Sequence, residues 1–256
     1  MIFSFPTLMT QEMWELGSSM SHFRLALLLL LVLPLLMGLA YYMGFEDSFI
    51  DTGNLLHTFG SYGIGFVSAA IMLLLFAVIG PGMAVHEIVG RIALQAVPAA
   101  IGATLLHNDL GLWERHAEHA ERKRQHAPYI GQVFLMVVGA IFLAVSPAST
   151  FEMVLIAYKM TEWHALALIF TTLLVMHALV YAVQFRESAA LSAATPFWSA
   201  FLRFTVVGYA IALLVSAYIL WTFGRLENTA ETESIKAVVV LGFPAALGAA
   251  AARLLL

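Results

Sequence analysis

Two carboxylates, Glu12 and Glu152, occupy matching places in a phrase that the chain uses twice. Shifted by 140 positions, Thr10, Glu12, Met13 and Met20 fall on Thr150, Glu152, Met153 and Met160, and each acid follows a proline, Pro6 or Pro147. A helix broken within a membrane frees backbone carbonyls, which together with a carboxylate can surround a cation. An ionised side chain at membrane depth costs roughly 2.5 to 3.5 kcal/mol on insertion scales, so such an acid is expected to face a partner, water or a pathway. The pair therefore predicts a cation or proton pathway with Glu12 and Glu152 as its central acids. The plainer alternative puts both at helix ends in the headgroup region, where a carboxylate near a helix N-terminus is merely favourable.

A second polar group lies at His86, Glu87, Arg91 and Gln95. Positions 87, 91 and 95 stack one turn apart on a helix, which makes Glu87 a candidate gate or proton acceptor. It can equally pair with Arg91, a contact worth little if wet. Farther on, His177 and Tyr181 share a face with Gln184, and Arg203 begins a later apolar run. His57, His86 and His177 could ligate haem or a metal between helices, but position 90 is glycine where a zinc motif begun by His86-Glu87 needs its second histidine. A lone histidine in an apolar helix is more often hydrogen-bonded locally. No Ser/His/Asp set or nucleophile elbow is present, and Lys236 stands at the start of its helix, against a retinal-type lysine. The chain is thus expected to have no catalytic residues, no resident cofactor and no metal, and not to be an enzyme.

The elements that position these groups follow from composition. Of 256 residues, 61% are hydrophobic and 11% are charged, and mean hydropathy is +0.89. Ordinary soluble domains carry about 25% charged residues, so this chain needs a bilayer as solvent. Its apolar runs lack strand alternation and reach the ~20 residues that a membrane helix requires. The expected fold is an all-α, polytopic membrane helix bundle with about eight crossings, or seven if one is re-entrant. They cover residues 1–16, 23–43, 55–79, 83–106, 129–160, 163–185, 197–223 and 235–255. The first is short, as though its beginning were missing. The fifth is expected to break near Ser146-Pro147. Gly60, Gly63, Gly65 and Ser68 on the third form a small-residue face suited to close helix contact in lipid.

Pro98-Ala-Ala-Ile-Gly-Ala returns as Pro244-Ala-Ala-Leu-Gly-Ala at an offset of 146, and Gly80 meets Gly224 at 144. We therefore expect two tandem four-helix repeats, 1–106 and 129–256, joined by a polar charged linker at 107–128. The linker's histidines, at 107, 116, 119 and 126, read as a solvated face before a metal site. With eight crossings, six basic residues fall on the linker's side and four on the other, which places both termini in the cytoplasm. The absence of cysteine removes disulfides and thiolate sites. A net charge of −4 without a basic arm gives nucleic acid no purchase. Nor does the N-terminus read as a cleaved signal peptide.

Thr10-Gln-Glu-Met-Trp, Ala93-Leu-Gln-Ala-Val-Pro-Ala-Ala-Ile-Gly-Ala and the run from Glu152 through Tyr158-Lys-Met-Thr-Glu-Trp-His resemble a bacterial family of integral membrane proteins with no assigned activity. The similarity covers nearly the whole chain. It implies a multi-pass protein of the bacterial cytoplasmic (inner) membrane, more residues before the first motif, and a neighbouring gene for a small single-span membrane protein. The leading expectation is a cation or proton channel or transporter, with its pathway where the two repeats meet. The alternative is a scaffold or assembly subunit for a small membrane partner, and a haem or metal redox protein ranks last. Expected partners are lipid, a cation or proton, the single-span protein and further copies of this chain.

Overall fold

The computed structural model describes residues 10–42, 52–107, 129–186 and 201–255, except for the side chains of 105–107, 180–186 and 253–255. The linker at 108–128 and the Pro6 segment lie outside them. The chain divides into two compact units, Met1–His126 and Ala127–Leu256.

In the first unit, α1 (Gln11–Ser19) is followed by α2 (His22–Tyr42), α3 (Thr52–Leu75) and α4 (Val85–His107). The first helix stops after nine residues for a local reason: Ser18 and Ser19 turn their hydroxyls back onto the carbonyl of Glu15, at 2.9 and 2.8 Å. Such bonds compete with helix continuation. Met20 then turns extended while its N–H closes the last turn on the Leu16 carbonyl. α2 and α3 are tied through Asn54 Nδ2, donating to the Met37 carbonyl at 3.2 Å, and Tyr62, donating to that of Leu29 at 3.1 Å. α4 packs against the other three. Its alanine-rich middle lets them approach: a Cβ on Gly65 of α3 would lie 2.9 Å from Ala100.

The second unit holds α5 (Tyr129–Ser149), α6 (Phe151–Lys159), α7 (Glu162–Arg186), a π-helical turn (Phe201–Val206) running into α8 (Val207–Thr222), and α9 (Glu231–Leu255). Here α9 is the central helix, in contact with α5, α6, α7 and α8. Its closest crossing is with α5, where a Cβ on Gly139 would fall 2.2 Å from the Gly248 carbonyl oxygen. Packing of this kind, with backbone against backbone, is how helices associate where lipid supplies no hydrophobic drive.

One expectation is corrected in its position. The break in the fifth apolar run comes at Thr150, not at Ser146-Pro147, because α5 continues through Pro147 to Ser149. Three hydrogen bonds onto the preceding turn end it: the Ser149 hydroxyl to the Ser146 carbonyl, and the Thr150 hydroxyl and N–H to that of Pro147. Among the described residues, six helices are long and apolar enough to span: His22–Tyr42, Thr52–Leu75, Tyr129–Ser149, Glu162–Leu179, Phe201–Thr222 and Glu231–Ala252. α1 is too short, and α4 carries His86, Glu87, Arg91 and Gln95 in its first half.

Candidate functional site

Glu12 and Glu152 hold the same place in two local structures of the same form. Each lies in the first turn of a nine-residue helix, after an extended threonine, Thr10 or Thr150, and before an extended methionine, Met20 or Met160. Glu12 is half-buried and Glu152 is exposed. α5 already supplies 21 residues, about 31 Å of helix at 1.5 Å per residue, which is a full hydrocarbon thickness. Glu152, three residues past its end, therefore belongs to the end of a span.

Around α1 the packing is apolar. Trp14 meets a cluster of Leu73, Val78 and Ile79, joined by Met83, Ile88 and Ile92. Below it, Gly17 touches α4 directly: a Cβ on Gly90 would lie 2.0 Å from the Gly17 carbonyl oxygen, and one on Gly17 would lie 2.7 Å from Cα of Arg91. Arg91 does not pair with Glu87. Its Nη1 donates instead to the Val78 carbonyl at 2.7 Å, fastening α4 to the turn after α3. That turn carries left-handed Ala77, φ 54°, and Gly82, φ 96°. Glu87 is half-buried in the first turn of α4 and His86 is exposed, whereas Gln95 is 1% exposed in the helix-packed interior. The stripe thus runs from a helix end into the core.

The small-residue face of α3 divides. Gly65 and Ser68 are buried, while at Gly60 and Gly63 a Cβ would meet no atom of the described residues within 4 Å. Beside Gly60 a half-open pocket of about 230 Å³ is lined by His57, Ser61, Leu56, Ile64, Ala40 and Thr104.

In the second unit His177 Nδ1 lies 3.0 Å from the Thr205 hydroxyl, and its ring meets Phe201 edge-on at 5.1 Å. Both partners belong to the π-helical turn, and Tyr129 donates to its Arg203 carbonyl at 3.0 Å. Sequence spacing groups His177 with Tyr181; the side chain of Tyr181 lies outside the described residues. Arg203 itself is exposed. Among the described residues, no three His, Asp or Glu side chains gather to hold a metal.

Two basic side chains matter here that spacing did not single out. Arg225, in the turn before α9, donates from Nη2 to the Ser149 carbonyl at the end of α5, and its guanidinium lies 4.1 Å from the Phe151 ring centre. Lys236 pairs with Glu233 at 3.0 Å on the first turns of α9. Only the second had a readable signal, opposite charges three residues apart on a helix.

A family model described as "Putative integral membrane protein (DUF2391)" matches residues 1–256. The chain belongs to that family. No curated protein and no solved structure matches the chain. Membership in DUF2391 agrees with six apolar helices and establishes a multi-pass integral membrane protein.

Proposed function

We propose that this DUF2391 member is a transport protein for a cation or proton, built from two tandem copies of one helical unit, with Glu12 and Glu152 gathering the ion at the ends of the spans. The observation that carries the reading is the repeated acid-bearing short helix. Thr10 to Met20 and Thr150 to Met160 share cap conformations, helix length and the position of the carboxylate. Further support comes from the central helices. Pro98 and Pro244 each stand 13 residues beyond the first residue of α4 and α9, and each of these helices packs against the rest of its unit. Carboxylates displayed at the end of a low-dielectric span raise the local cation concentration, by tenfold or more in focused geometries.

The test is flux into proteoliposomes of protons, monovalent cations and divalent cations, comparing wild type with Glu12→Gln/Glu152→Gln. Cation flux that falls roughly tenfold in the double variant supports the reading. A wild type that moves no ion under any gradient overturns it.

One observation favours a second reading, a scaffold for a small membrane partner. Gly60 and Gly63 leave a close-approach surface on α3 without a neighbour among the described residues, flanked by exposed Leu56, Phe59, Ile64 and Val67. Loss of a co-purifying single-span protein in Gly60→Leu/Gly63→Leu, with transport unaffected, would favour that role.

A further inference from the structure

We draw no further inference here: the strongest candidate, the open Gly60–Gly63 face of α3 with the pocket beside His57, already carries the scaffold reading, and nothing in the structure shows what covers it.

Discussion

The two short helices, α1 and α6, are secured to their units by different means. α1 meets α4 through bare backbone, Gly17 against Gly90, and a side chain at either place would overlap main-chain atoms. At the positions matched by the 140 and 146 offsets, α6 has Ala157 and α9 has Lys236. There Met153 and Ala157 supply the buried contact and Arg225 fastens the start of α6 to the end of α5, while Lys236 pairs along α9 itself with Glu233. A shared local form thus does not require shared packing. One copy adds a backbone-on-backbone contact to the packing of Met13 and Trp14, and the other has side chains at the matching places.

The sharpest way to break this contrast is to put the same change on both sides. Gly90→Leu should cost about 3 kcal/mol or more, because the overlap is with backbone that cannot turn aside. In detergent, that corresponds to a loss of roughly 6 to 12 °C in the temperature at which the monodisperse gel-filtration peak disappears. Lys236→Leu made together with Glu233→Gln, so that no carboxylate is left unpaired in a pair only 14% and 18% exposed, should cost about 1 kcal/mol or less. Equal shifts in the two variants would mean that the glycine contact is not what holds α1. Gly139→Leu, at the crossing of α5 and α9, should behave like Gly90→Leu.

The next effect is expected at the two arginines. Arg225→Met loses a charge-assisted hydrogen bond to Ser149 and the stack on Phe151, together about 2 kcal/mol. Arg225→Lys should recover only part of this, since an ammonium cannot both stack flat and reach the carbonyl. Arg91→Met gives up one bond to Val78, about 1 to 2 kcal/mol. The same thermal assay ranks them, and Arg91→Met at or above Arg225→Met would reverse the assignment of which copy relies on long side chains.

How much of this was legible in the sequence depends on the kind of contact. The apolar runs gave the long helices, since bilayer thickness fixes their length, and the Thr-to-Met phrase pointed to α1 and α6 as a matched pair. Pro147 misled because a proline inside a helix gives up one hydrogen bond and can kink the helix without ending it, whereas the hydroxyls of Ser149 and Thr150 set the stop. Gly17 against Gly90, and Arg225 against a carbonyl 76 residues earlier, are tertiary pairings, and helical periodicity marks a face without naming what meets it. Likewise the spacing of Glu87 and Arg91 suggested a pair, but the turn after α3 offers Arg91 a carbonyl that Glu87 does not compete with.

Smaller effects on the fold are expected at the acids. Glu12 is half-buried and Glu152 exposed, so Glu→Gln at either should shift the thermal transition by less than about 2 °C while flux falls. A variant that loses stability along with flux would make the acids structural. The half-buried Glu12 is the one to watch, because it stands on the helix that meets its neighbour backbone to backbone.

The one change of opposite sign is expected at Gly60 and Gly63, and this sharpens the contrast most. Glycine in a helix interior costs about 1 kcal/mol relative to alanine, through the freedom that it loses. At Gly17, Gly65, Gly90, Gly139 and Gly248 a close neighbour offsets that cost; at Gly60 and Gly63 none of the described residues lies within 4 Å of an added Cβ. Gly60→Ala/Gly63→Ala should therefore leave the isolated protein as stable as wild type or raise its transition by a few degrees, the opposite sign to Gly90→Ala. If both pairs of substitutions destabilise the protein purified alone, the open face is packed in the monomer after all. If Gly60→Ala/Gly63→Ala stabilises the lone protein yet weakens its recovery with a membrane partner, the two glycines are kept for a contact outside this chain's own fold, as Gly17 and Gly90 are kept for one within it.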